Sequence, residues 1–205
     1  MIGSKINQND ITAVFSKDPV IFGLLQKFGI PEREVEMDIF NALVRSIISQ
    51  QLSTGSAKAI YGKFIMLFDG ILTPEQLIDI DFQDLRQSGL SGQKANYVKN
   101  VAVFFKEKAL NAFDWQSTPD KELIDLLTQI KGVGVWTVQM LLMFSLDRLD
   151  VFPVGDLGIR LGMKEFYGID SEGKKLIAEL ENISNKWKPY RTIGSKLIWL
   201  GKDEK

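Results

Sequence analysis

Three stretches of the chain carry residues whose types and spacing suit chemistry. The first is Lys131-Gly132-Val133-Gly134, which follows the apolar run Leu126-Leu127-Thr128-Gln129-Ile130 and leads at once into Val135-Trp136-Thr137. A Gly-x-Gly turn between two helices combines φ freedom with close backbone approach. The helix that follows adds unpaired N–H groups and the positive end of its dipole, which together make a seat for one phosphate. The same turn also serves as a plain helix–helix connector. It is not a dinucleotide fingerprint, because no strand precedes it and no third glycine follows at the right spacing. The second stretch is Asp150-Val151-Phe152-Pro153-Val154-Gly155-Asp156, where Asp156 opens a helix at Leu157. A carboxylate there is favoured by the helix dipole. It is either a simple N-cap or a group that stabilises a developing cation. The third is Ser49-Gln50-Gln51, the polar end of an otherwise apolar helix.

Composition narrows the chemistry further. The chain of 205 residues has no cysteine and no histidine. Disulfides, thiolate nucleophiles, cysteine-held metal clusters, Ser-His-Asp triads and imidazole bases are all excluded. Reactivity must rest on carboxylates, amines, hydroxyls, backbone groups and aromatic faces. The net charge is −1, which argues against a protein that coats nucleic acid non-specifically. Only residues 156–205 are net basic, with 10 basic and 8 acidic side chains. The longest apolar stretch, Val135 to Leu146, is interrupted by Thr137, Gln139 and Ser145 and is too short to span a membrane. The opening MIGSKINQND has no apolar signal core, so the expected compartment is the cytoplasm, or the nucleus in a eukaryote.

The elements that must position these residues read as helices almost throughout. Phe40, Leu43, Val44, Ile47 and Ile48 form an amphipathic stripe. Thr73-Pro74-Glu75-Gln76 combines an N-cap, an N1 proline and a capping-box glutamine. Thr118-Pro119 opens another helix in a similar way, Ser171 caps the helix carrying Leu176 and Leu180, and Pro189 starts the last one. Glycines 29, 70, 89, 168 and 201 are read as helix stops. Convincing strand alternation is missing. The expectation is an all-α chain of about nine or ten helices, in one domain or two closely packed lobes.

The run KGVGVWTVQMLLMFSLDRLDVFPVGDLGIR resembles the helix-hairpin-helix DNA glycosylases that carry a Gly/Pro-rich loop and an aspartate. Within them it is similar to the compact 3-methyladenine DNA glycosylase II group. Arg45-Ser46-Ile47-Ile48-Ser49-Gln50-Gln51-Leu52, Gly89-Leu90-Ser91 with Lys94-Ala95, and Trp187-Lys188-Pro189-Tyr190-Arg191 carry the likeness outward, over roughly Phe40 to Trp199. The resemblance implies a two-lobed helical body with an active cleft between the lobes. Residues 38–148 would form the helix-hairpin-helix lobe, and 1–37 plus 149–205 the lobe with the catalytic aspartate.

The resemblance also implies roles. Asp156 takes the catalytic position, and Asp150 is read as structural. Trp136, Trp199, Met140 and Leu157 fall in the base pocket, although Met140 and Leu157 stand where the best-known members have tyrosines. Gln51 enters the gap left by a flipped base, whereas Gln50 is structural. Lys131, Gly132, Gly134 and Thr137 contact DNA. The backbone carbonyls of Thr128, Ile130 and Val133 hold a structural Na⁺ or K⁺, and no cofactor is required for catalysis. Bifunctional relatives place a lysine where this chain has Trp136, and an indole forms no Schiff base. The implied activity is therefore release of alkylated purines from double-stranded DNA by a monomer, without strand cleavage. Glycosylases for oxidised or deaminated bases, and a non-catalytic DNA-binding module, are the alternatives.

Overall fold

The computed structural model describes residues 7–32 and 38–204. The opening MIGSKI and the expected boundary at residue 37 lie outside them. Among the described residues there is no strand. The helices are α1 (Gln8–Phe15), α2 (Pro19–Phe28), α3 (Ile39–Ser49), α4 (Thr54–Met66), α5 (Pro74–Asp79) and α6 (Phe82–Gln87), followed by α7 (Gly92–Glu107), α8 (Asp120–Leu127), α9 (Val135–Phe144), α10 (Leu157–Tyr167), α11 (Gly173–Ser184) and α12 (Arg191–Asp203). No helix among the described residues is long and apolar enough to cross a membrane. There are more helices than expected partly because Ile80-Asp81 breaks one segment into α5 and α6. Asp81 there caps α6 through its carboxylate on the Gln83 N–H.

The chain divides into two compact units, Val35–Leu146 and Met1–Glu34 with Asp147–Lys205. In the first, α3 packs on α4, α7 and α9. Its stripe is buried as the spacing requires: Leu43, Val44, Ile47 and Ile48 are fully covered, and Phe40 meets Phe105 of α7 at 5.2 Å between ring centroids. Each such side chain contributes about 1.5–3 kcal/mol by leaving water. The capping box at Thr73 and Gln76 is present, with Pro74 in the first turn.

In the second unit, α12 packs on α2 and α10 around the buried Trp187. Gly201 does not end α12; it lies inside it. A Cβ there would stand 2.9 Å from Leu24 Cδ2 and 2.9 Å from Phe166 Cζ, so the glycine permits close helix packing. Three other helix starts also differ from expectation. Pro119, not Thr118, is the N-cap of α8, because the Thr118 hydroxyl donates to the Asp114 carbonyl instead. Ser171 donates to Glu179 rather than capping α11, whose N-cap is Glu172. Helix α12 begins at Arg191, two residues after Pro189.

Candidate active site

Asp156 ends a tightly wound loop. Val154 N–H donates to the Phe152 carbonyl at 3.0 Å and Asp156 N–H to the Pro153 carbonyl at 2.8 Å, while the Phe152 ring is anchored edge-on against Trp187. Asp156 is then the N-cap of α10, its Oδ1 accepting from the Ile159 N–H at 2.9 Å. The same oxygen accepts from the Trp199 indole N–H of α12, also at 2.9 Å. Two donors from different helices therefore fix the carboxylate's rotation. Gly158 makes their meeting feasible, because a Cβ there would lie 3.0 Å from Asp156 Oδ1 and 3.1 Å from Trp199 Nε1. Leu157 is 63% exposed beside the aspartate.

The rival carboxylate, Asp150, is already engaged. Arg191 grips it bidentately, Nε to Oδ1 at 2.7 Å and Nη2 to Oδ2 at 2.9 Å. Thr192 pins the same loop by donating its hydroxyl to the Arg148 carbonyl and accepting from the Val151 N–H. The start of α12 thus holds the front of the loop, and Trp199 further along holds its Asp156 end.

A measurable consequence follows for Trp199. A Trp199→Phe variant keeps an aromatic ring but loses the donor, and a hydrogen bond to a charged group is worth about 1.5–3 kcal/mol. We expect single-turnover base release to fall by about 10- to 100-fold while DNA affinity stays close to wild type. Equal losses in both would place Trp199 in binding rather than in holding Asp156.

The second set of residues belongs to the other unit. Helix α8 ends at Leu127, and α9 starts at Val135 after Gly134, with no side chain capping its first turn. The two glycines of the turn do different work. Gly132 has φ +106°, and a Cβ on it would come within 2.3 Å of the Tyr97 ring, so glycine is required for the fold. Gly134 has φ −101° and ψ 170°, an extended conformation open to any residue, and nothing lies within 4 Å of its Cβ direction. The positive φ expected of this turn is confined to Gly132, and Gly134 leaves open space before the first turn of α9. Lys131, Val135 and Trp136 are exposed around it, whereas Met140 is half-buried.

Thr137 is placed differently from its expected role. Its side chain is 2% exposed and its hydroxyl accepts from Gln50 Nε2 at 3.2 Å, which directs it into the unit rather than toward a ligand. Gln51 is exposed just beyond the end of α3 and has φ 59°. Thr128 is the C-cap of α8, and the Ile130 carbonyl accepts the Val133 N–H at 3.0 Å across the turn. Among the described residues no cluster of acidic side chains could hold a metal ion.

Gly158, Lys94 and Tyr97 were not singled out as site residues by the sequence. For Gly158 there was a signal: a glycine in the first turn of a helix weakens it and marks a close approach.

Comparison with known proteins bears on the family and the fold. Residues 44–189 match the model of the HhH-GPD superfamily of base excision DNA repair proteins. A putative DNA-3-methyladenine glycosylase of Bacillus subtilis is 30% identical over 172 residues, covering 80% of this chain and 59% of that protein, so the chain spans about three fifths of that relative. The crystal structure of a Bacillus halodurans DNA-3-methyladenine glycosidase superposes with a TM-score of 0.81 at 35% identity, covering 94% of this chain and 88% of that one. The 3-methyladenine DNA glycosylase of Schizosaccharomyces pombe, in complex with abasic DNA, gives a TM-score of 0.77 at 32% identity, covering 93% and 95%. In motif, fold and sequence, the chain belongs to the HhH-GPD superfamily of base excision DNA repair proteins.

Proposed function

We propose that the protein is a monofunctional DNA glycosylase that hydrolyses the N-glycosidic bond of alkylated purines in double-stranded DNA. The observation that carries this is Asp156, the family's catalytic aspartate by motif, fixed by Trp199 and the Ile159 N–H. The target base must leave the stack, since the bond is shielded inside the duplex. As the C1′–N bond breaks, its electron pair departs with the base and positive charge develops on the sugar. The Asp156 carboxylate stabilises that charge and orients a water, whose oxygen bonds to C1′ and whose proton passes to the carboxylate or solvent.

Trp136 and Met140 on one unit, and Leu157 on the other, each supply apolar or aromatic surface suited to a cationic purine. Such bases leave without protonation, which suits a chain lacking histidine. Lys131, Gly132 and Gly134 take a backbone phosphate on the uncapped start of α9. The carbonyl oxygens of Thr128, Ile130 and Val133 form a donor set suited to Na⁺ or K⁺, the Ile130 oxygen keeping a second lone pair beside its bond to Val133. The protein works as a monomer on damaged duplex DNA, in the cytoplasm or, in a eukaryote, the nucleus.

The hairpin assignment has its own test. Because Gly134 needs neither positive φ nor space within the fold, Gly134→Val should fold normally. The valine would occupy the approach to the α9 N–H groups and weaken DNA binding by about tenfold or more, the loss of one charge-assisted hydrogen bond. Unchanged affinity would move the phosphate seat elsewhere.

The reaction itself is tested with duplexes containing 7-methylguanine, 1,N6-ethenoadenine, hypoxanthine or 8-oxoguanine, analysed with and without alkali. We expect release of 7-methylguanine, with strand breaks only after alkali. Cutting without alkali, with borohydride trapping of protein on DNA, would refute the monofunctional assignment. Release of 8-oxoguanine and none of 7-methylguanine would favour an oxidised-base enzyme.

A further inference from the structure

Gln51 has φ 59°, a left-handed conformation that a non-glycine residue keeps only where its surroundings enforce it. Those surroundings are specific. Lys94 of α7 donates from Nζ to the carbonyls of Ile48 and Gln50, each at 2.7 Å, holding the end of α3 just before the corner. Gln50 turns its amide away from the corner and donates from Nε2 to the Gly132 carbonyl at 3.4 Å and the Thr137 hydroxyl at 3.2 Å. Gly132 lies in the turn that leads into α9, and Thr137 in the first turn of α9 itself. Helix α7 braces the same turn from beneath, with the Tyr97 ring under Gly132 and Asn100 Nδ2 donating to the Lys131 carbonyl at 3.2 Å. The corner and the turn, 82 residues apart in sequence from Gln50 to Gly132, are therefore one hydrogen-bonded body.

We infer that Gln50 is a positioning residue that locks the Gln51 corner to the Gly132–Gly134 turn, so that the turn holding the backbone phosphate also aims the side chain that replaces the extruded base. This rests on the glycosylase reading above. Gln50 touches neither base nor phosphate in this account and acts only through Gln51. The Gln50 amide suits the task because one NH₂ group reaches both acceptors, which a carboxylate of the same size cannot do.

The test is epistasis in base flipping. A duplex carrying a fluorescent purine beside an alkylated base reports flipping by stopped-flow fluorescence. Gln50→Met keeps the side chain's length and removes its donors, while Thr137→Val is isosteric and removes one acceptor. Each should slow flipping by about five- to tenfold, the factor one neutral hydrogen bond supplies. In a Gln51→Ala background, where flipping is already slow, Gln50→Met should change the rate by less than about twofold. An equal loss in both backgrounds would overturn the inference, as would normal flipping by Gln50→Met or, if that variant does not fold, by Thr137→Val. Wild-type protein that binds the duplex but flips nothing would instead overturn the glycosylase reading, and this inference with it.

Discussion

Asp156→Asn is expected to lose base release by about 100- to 1,000-fold, the effect of removing a charge aimed at a developing cation. The substitution is close to isosteric. Asparagine caps helices as well as aspartate does, and its carbonyl oxygen can still accept from Ile159 and Trp199. The fold, α10 and the indole contact should therefore survive, and DNA affinity should change little. What disappears is the negative charge. Single-turnover release from alkylated DNA within about threefold of wild type would move the role to another carboxylate. Asp150 is a poor substitute, because Arg191 occupies both of its oxygens.

The largest effect on stability is expected at Asp18, far from Asp156 in sequence. Asp18 is 4% exposed. Its Oδ1 caps α2 through the N–H groups of Val20 and Ile21, and its Oδ2 accepts from the Tyr167 hydroxyl at 2.8 Å and the Trp187 indole N–H at 3.0 Å. One carboxylate thus joins the start of α2 to the end of α10 and to the core tryptophan. Asp18→Ala removes the cap and leaves the buried Trp187 N–H and the half-buried Tyr167 hydroxyl without this acceptor, at a combined cost of about 3–5 kcal/mol. For a chain of this size that lowers Tm by about 6–20 °C. A melting temperature within about 2 °C of wild type would show that water replaces the carboxylate.

Tyr167 belongs to the same cluster, and burial, followed by the charge of Asp18, pushes its phenol well above the usual tyrosine range. A raised pKa means that the unfolded state releases its proton first as pH rises. The stability this group adds is complete below the ordinary phenol pKa and is lost as pH climbs toward the raised value.

Much of the architecture was legible because its signals are local. The stripe from Phe40 to Ile48, the capping box at Thr73 and the cap at Asp156 all depend on residues within one or two turns, and each appears in the structure. Gly201 was misread because a glycine near a helix end and a glycine under a crossing helix look alike until Leu24 and Phe166 are in place. The Gly-x-Gly turn was found, but the division of labour within it depends on the Tyr97 ring, which lies on another helix.

Contacts between distant segments were beyond reach. Trp199 could be assigned to the pocket by resemblance, yet its bond to Asp156 spans 43 residues and depends on Gly158 having no side chain. Asp18 was not singled out in the sequence, because its partners Tyr167 and Trp187 lie 149 and 169 residues away. Gln50 was read as structural, and that reading gave no hint that its amide reaches both the turn at Gly132 and the first turn of α9 at Thr137.

The activity proposed for this chain is hydrolysis of the glycosidic bond of alkylated purines, with Asp156 as the essential carboxylate. It is tested most directly by incubating methylated duplex DNA with wild-type protein and with Asp156→Asn, then identifying free bases by chromatography. Free 3-methyladenine and 7-methylguanine are expected from the wild type and almost none from the variant, with both proteins bound to DNA. Wild-type protein that binds the DNA and releases neither purine, or equal release by the two proteins, would contradict it.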